Sequence, residues 1–299
     1  MGMALAVVAE ESVEARIKEV EDPFRRNMAF FGFYRTANRM DEAYAALEEA
    51  TKIDSAHSEV IRAQFSRTLL DEDWDGAEKW VGQARDNNAD LAGGMFFVGR
   101  LDHAKGEYRR AISSFMQALD ARPNFDDGWR RLGEAQRLNG ELEAALQSFS
   151  RALEQNPGNL QSVVGKARSH EALGQYTAGL ELLRRTRKQL TKTGSTTLET
   201  AYLHYEQNYG DKQIALQERR KIAEKNPQYT RNRRDLAHLE AELGNNDEAL
   251  AVIDSLIDED LMRDMALVNE VVSLGRFART ESAIKVRQPL PQVMIWSEK

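Results

Sequence analysis

Trp129-Arg130-Arg131-Leu132-Gly133, followed by Gly140, Ala145, Phe149, Ala152 and Pro157, is the stretch that decides the fold. Thirty-four residues earlier the chain reads Met95, Val98, Gly99, Gly106, Ala111, Phe115, Ala118 and Pro123. The same frame runs back through Ala77, Val81 and Ala84 to Ala43, Leu47 and Ala50, and forward through Gly174, Gly179 and Leu183. It slips by two residues at Gly194-Ser195 and resumes with Gly210, Ala215 and Pro227, then Gly244, Ala249 and Ile253. A fixed period of this length marks a stack of identical supersecondary units, each too small to bury its own apolar face.

Each unit holds two apolar stretches at helical spacing, parted by Gly106, Gly140, Gly174, Gly210 or Gly244. A glycine there is expected to supply the left-handed backbone that ends the first helix. Pro123, Pro157 and Pro227 end the second helix and open the next unit. Five residues after the turn stand Ala43, Ala77, Ala111, Ala145, Gly179, Ala215 and Ala249, a small residue in every unit. A small side chain lets two helix axes approach to about 8–10 Å. The frame places repeats at 24–57, 58–91, 92–125, 126–159, 160–193, 196–229 and 230–263. Residues 1–23 read as an N-terminal capping helix, and 264–299 as a degenerate repeat, to about 288, followed by a Pro-flanked apolar tail.

These residues resemble the tetratricopeptide repeat family, whose Trp, Leu-Gly, Tyr, Ala, Phe, Ala, Pro pattern is fullest in 126–159 and 92–125. Phe31, Phe65 and Leu203 depart from it by replacing the small residue of the first helix, and Lys212 and Arg219 stand where apolar residues are expected. The resemblance implies an all-α, right-handed superhelical solenoid of about seven to eight helix-turn-helix repeats, one continuous body rather than two domains. First helices would line a concave groove and second helices its convex back.

In this family, repeat positions 2, 5, 9, 12 and 13 line the groove. Here they hold Arg25, Arg35, Arg62, Arg100, Arg130, Arg137, Arg168, Arg231 and Arg234, with His103, His204 and His238. The acids at those positions are Glu59, Asp127, Glu134, Glu171 and Glu242, so the groove carries an excess of four positive charges on a chain whose net charge is −7. No lysine occurs among them. Arginine presents a planar fork that grips carboxylate or phosphate at two points. One reading is a groove biased toward an acidic, extended ligand. The other is that the arginines cover apolar helix surface and pair with Asp127, Glu134 or Glu171 across repeats. The Lys/Asn pair with which some family members clamp a chaperone's terminal carboxylate is absent from positions 5 and 9.

Composition excludes several classes. The 30% charged fraction and mean hydropathy of −0.59 are too polar for a multi-span membrane protein, and 41% hydrophobic residues are too many for a disordered chain. With no Cys there is no disulfide, thiolate nucleophile or Cys-ligated metal. The apolar run Met3–Ala9 is far too short to span a bilayer. Gly165-Lys166 lacks phosphate-loop spacing, and no His-Glu-x-x-His, nucleophile elbow or dinucleotide glycine fingerprint occurs. His204 and His238 share repeat position 9, but no third metal ligand accompanies them. Two basic runs, Arg184–Lys188 with Lys192 and Arg219–Lys221 with Lys225, read as solvated convex faces or as a surface for nucleic acid.

The sequence therefore predicts a scaffold with no enzymatic activity, cofactor or metal, binding a protein or peptide segment, acidic by preference. Nucleic acid is a disfavoured partner, no membrane span is expected, and self-association of an exposed face is compatible with the pattern. The alternatives are a nucleic-acid-associated or regulatory factor, or the recognition arm of a longer enzyme. A cytoplasmic location is expected, or a periplasmic one if an upstream signal or anchor has been removed. The small position offers the first test. Ala145→Leu should overpack the helix pair and lower the unfolding free energy by about 1–3 kcal/mol, read from urea denaturation followed by circular dichroism.

Overall fold

The computed structural model describes residues 13–87, 91–190 and 196–257. The 191–195 slip, residues 1–12 and everything after 257 lie outside them, so the expected degenerate repeat, its tail and most of the N-terminal cap do too. Every regular element among the described residues is a helix. They divide between Ser169 and His170 into two compact units. The first holds α1 (13–18), α2 (Pro23–Thr36), α3 (Met40–Ile53), α4 (Ser58–Leu70), α5 (Trp74–Asn87), α6 (Leu91–Ala104), α7 (Tyr108–Ala121), α8 (Asp126–Leu138), α9 (Leu142–Gln155) and most of α10 (Leu160–Ala172). The second holds α11 (Tyr176–Gln189), α12 (Thr196–Tyr209), α13 (Lys212–Lys225), α14 (Thr230–Glu242) and α15 (Asn246–Ile257).

Successive helices pack on one another: α2 on α3, α4 on α5, α6 on α7 and α8 on α9 in the first unit, α12 on α13 and α14 on α15 in the second. Ala43, Ala77, Ala111, Ala145, Ala215 and Ala249 are each fully shielded from solvent, which is what a close helix crossing requires. The turn between paired helices is left-handed at Gly106, Gly140, Gly174 and Gly244. Asn38 and Glu72 take that conformation in the first two repeats, although neither is glycine. Gly210 departs from expectation, because its backbone is not left-handed. Space demands the glycine instead: a Cβ there would lie 2.3 Å from Glu206 Oε2 and 3.0 Å from Leu180 Cδ2.

The departures from the repeat pattern follow from volume. Where the first helix has Gly99 or Gly133, the facing position sixteen residues on is Phe115 or Phe149. A Cβ on Gly99 would come within 2.7 Å of the Phe115 ring, and one on Gly133 within 3.0 Å of Phe149. Gly165 on α10 closes over the other side of Phe149, where a Cβ would meet Cζ at 2.4 Å. In the first two repeats the large residue changes sides, with Phe31 and Phe65 opposite Leu47 and Val81. The gap between paired helices is filled once, from one side or the other.

In α13 that inner position belongs to Arg219, which is 5% exposed. Its charge is answered by Asp235 at 3.0 Å, while Asn232 Nδ2 donates to its backbone carbonyl at 2.9 Å. Lys212, the other residue out of pattern, stays at the surface with Glu242.

The second unit also carries a repeated ion pair in which a buried carboxylate meets a half-exposed arginine. Arg184 donates through Nε and Nη2 to both oxygens of Glu206, at 2.6 Å each, and Arg220 grips Glu240 in the same way at 2.6 and 2.9 Å. The partners are 20 residues apart in the second pair and 22 in the first, which bridges the two-residue slip. Glu206 is wholly buried. Burial alone would raise its carboxyl, but Arg184, the Asp211 N–H and Tyr202 hold it below the usual carboxylate range. Such a group adds stability above its unfolded pKa of about 4.3, and that contribution is lost as pH falls through the lower folded value. Glu206→Gln should therefore cost about 1–3 kcal/mol near neutrality. Urea midpoints taken from pH 7 down to pH ~3 should show the variant and the native chain converging at the acid end, below the ordinary carboxylate pKa.

Candidate partner-binding site

Three first helices of the first unit, α4, α6 and α8, build a cavity of about 440 Å³. Ile61, Phe96, Phe97 and Phe125 supply its apolar wall, and Arg62, Arg100, Arg122 and Asp127 its charge. The helical repeat places these residues together: Arg62 sits at position 5, Arg100 at position 9 and Asp127 at position 2 of consecutive repeats. α6 lies directly against α8.

Arg100 is central. Its Nη2 donates to Ser66 Oγ at 3.2 Å, one repeat away at the same position. Its guanidinium carbon lies 4.9 Å from the Phe65 ring centroid and 5.9 and 6.0 Å from those of Phe97 and Phe96. Its Nε is buried without a hydrogen-bond partner. Burial, followed by repulsion from Arg131, Arg130 and Arg62 against the attraction of Asp127, pushes its pKa down to about 10. Arg131 is lowered by burial and by Arg130, and its Nε is also without a partner. His103 repeats the pattern: burial, Arg131, Arg130 and Arg137 lower it, and its buried Nε2 has no partner.

Two of the groove arginines are neutralised within their own helix. Arg130 Nε donates to Asp127 Oδ1 at 2.8 Å, and Arg137 holds both oxygens of Glu134 at 3.1 and 2.6 Å. Burial opposes ionisation of Glu134, yet Arg137, with His103 and Arg168 nearby, keeps it below its ordinary value. These pairs lie three residues apart on α8. Arg130 and Arg137 thus pair with the acids expected for them, Asp127 and Glu134, but within one helix rather than across repeats.

The remaining expected residues are scattered. Arg25, Arg35, Arg62 and Arg168 are exposed in the first unit, with Arg35 stacked over Phe31 at 5.3 Å. In the second unit Arg231 is exposed, and Arg234 and His238 are half-buried. His204 Nε2 lies 3.1 Å from Glu171 Oε1, the same oxygen that accepts from Tyr209 at 2.8 Å. Tyr209 stacks on Tyr176 with centroids 4.3 Å apart. No group of three or more His, Asp or Glu among the described residues is placed to hold a metal ion.

Arg131 was not among the expected site residues, because position 6 is not one of the five groove positions. The Arg130-Arg131 doublet was the available signal. Several members of the two basic runs are paired with acids. Arg184, Arg187, Arg219, Arg220 and Lys221 bond to Glu206, Glu199 with Glu218, Asp235, Glu240 and Glu218 respectively. The acids paired with the four arginines lie on other helices and Glu218 lies on the same helix as Lys221, while Arg185, Lys188 and Lys225 of the same runs are exposed.

A chain of stacked helix pairs with apolar and cationic side chains on its first helices defines a helical-repeat interaction scaffold. Two tetratricopeptide repeat models match it, over residues 99–159 and 136–193, so that this stretch of the chain carries the repeat of that family. Among solved structures, the protein resembles a chain of the APC/C hetero-tetramer Cut9–Hcn1, with 14% identity, a TM-score of 0.59 and coverage of 91% of this chain and 56% of that one. A tetratricopeptide repeat protein from Parabacteroides merdae ATCC 43184 aligns over 85% of this chain and 99% of its own at 12% identity, with a TM-score of 0.55. Both likenesses are of fold. A stretch of 42 residues is 52% identical to isoleucine–tRNA ligase of Cutibacterium acnes, covering 14% of this chain and 4% of that enzyme. None of the helices described is long and apolar enough to cross a membrane.

An uncompensated guanidinium among aromatic rings costs stability. Arg100→Met keeps the length of the side chain and removes the charge, so it should raise the unfolding free energy by about 1 kcal/mol. A higher urea midpoint is the expected result, and a lower one would show that the Ser66 and ring contacts outweigh the desolvation.

Proposed function

We propose that this chain is a non-enzymatic scaffold that holds an acidic, extended segment of a partner protein against α4, α6 and α8. The observation that carries the reading is the local charge balance. Once Arg130 and Arg137 are assigned to Asp127 and Glu134, Arg62, Arg100 and Arg131 remain with no acid bonded to them among the described residues. A half-buried surplus of this kind disfavours cationic partners and rewards anionic ones. The wall of Ile61, Phe96, Phe97 and Phe125 supplies the apolar contact that gives a peptide segment affinity beyond charge.

The short match to isoleucine–tRNA ligases covers 4% of those enzymes, and none of their activity is proposed for this chain. The pairing of Arg184, Arg187, Arg219, Arg220 and Lys221 with acids supports the protein-binding reading over the nucleic-acid one.

Arg62 and Arg168 are exposed, so reversing them should leave the fold intact. On an array of extended peptides of graded acidity, the native chain should retain the acidic members selectively. Arg62→Glu with Arg168→Glu should lose about tenfold or more of that binding, with helical circular dichroism unchanged. Equal retention of neutral and acidic peptides by the native chain would remove the proposal.

A further inference from the structure

Repeat 196–229 lacks a ring that repeat 92–125 has. In the earlier repeat the Phe96 ring lies between Phe115 and Phe125, with centroids 5.8 and 4.8 Å away, and the residue is 8% exposed. Three repeats later, past the two-residue slip, the same frame positions hold Thr200, Arg219 and Tyr229. Thr200 is too short to fill the place of a phenylalanine, and its hydroxyl meets that of Tyr229 at 3.5 Å. Arg219 brings no ring either, and its guanidinium bonds to Asp235 at 3.0 Å. The result is a pocket of about 170 Å³ among α12, α13 and α14, open to solvent, with Thr200, Arg219 and Tyr229 on its walls beside Leu203 and Ile222.

Two properties of the pocket choose its occupant. The first is size. An apolar cavity of about 150 Å³ is enough to hold a benzene ring, whereas sites for drug-sized ligands and cofactors run to about 300–1,000 Å³. The second is charge. Both carboxylates on its wall are already held, Glu199 by Arg187 at 3.1 Å and Asp235 by Arg219 at 3.0 Å. Asn232 bonds to Arg219 through both ends of its amide. An ionised occupant would lose its water and meet no free counter-charge. An uncharged ring loses little water and gains contact with the Tyr229 ring.

We propose that this pocket takes the aromatic side chain of a partner segment, a phenylalanine or tyrosine, in the position that Phe96 occupies in repeat 92–125. The site belongs to the second unit, and its chemistry differs from that of the cationic cavity of α4, α6 and α8. It therefore does not depend on the acidic-segment reading.

Nuclear magnetic resonance titration of the full chain locates the ring. The probes are the blocked peptides Gly-Ser-Phe-Ser-Gly, Gly-Ser-Leu-Ser-Gly and Gly-Ser-Ala-Ser-Gly, with benzyl alcohol as the ring alone. The phenylalanine peptide should shift the Thr200 and Tyr229 amide resonances saturably and bind about threefold or more tightly than the leucine peptide. The alanine peptide should leave those resonances in place. Thr200→Phe supplies the ring from within, so it should raise the urea midpoint and weaken binding of the phenylalanine peptide by about tenfold or more. Thr200→Leu, which fills the pocket less, should weaken it less.

Equal binding of the leucine peptide would overturn the ring requirement. Benzyl alcohol binding as tightly as the phenylalanine peptide would overturn the partner segment as occupant, in favour of a free aromatic molecule. Undiminished binding by a folded Thr200→Phe variant, or a lowered urea midpoint for it, would overturn the placement. No saturable shift with any probe would overturn the pocket as a binding site. The acidic-peptide array reads a different unit, and its outcome bears on none of these results.

Discussion

One packing constraint organises the helix pairs: the gap between the two helices of a repeat must be filled once. A phenylalanine from the second helix fills it against Gly99 and Gly133, and a phenylalanine from the first helix fills it opposite Leu47 and Val81. Either arrangement buries a large side chain, worth about 1.5–3 kcal/mol relative to exposure, without forcing the helices apart. The buried alanines of the second helices set the crossing distance that makes the gap one ring wide. Phe149, held between Gly133 and Gly165, extends the same principle from one repeat to the next.

Charge is distributed on top of this packing in two ways. The second unit spends its cations internally, with Arg184–Glu206 and Arg220–Glu240 fastening second helices to the first helices that follow. The first unit leaves some cations unanswered near its apolar cavity. Unanswered buried charge is destabilising in isolation, and its presence beside open space is the feature on which the proposed binding surface rests.

Much of the fold was legible from a single repeat. The period, the small residue after each turn and the proline at three of the junctions report backbone and crossing constraints that recur along the chain, so the sequence displays them openly. Phe31 and Phe65 looked like defects because a pattern records one side of a contact at a time. Gly210 carried the right residue for another reason: a shortage of space beside Glu206 rather than a left-handed turn. The site was legible only in part. Arg62, Arg100 and Arg130 were expected from their repeat positions, but the frame could not tell a neutralised Arg130 from an unanswered Arg131 one residue later.

Sequence by itself determined the architecture, because helix periodicity, turn glycines and small crossing residues act over a few residues and repeat along the chain. Only the tertiary structure decided which charges are spent and which remain. An arginine's partner lies on the same helix, on the next helix, or nowhere, and burial sets how much that difference matters. That is why a net charge of −7 coexists with a cationic cluster on the first helices of the first unit.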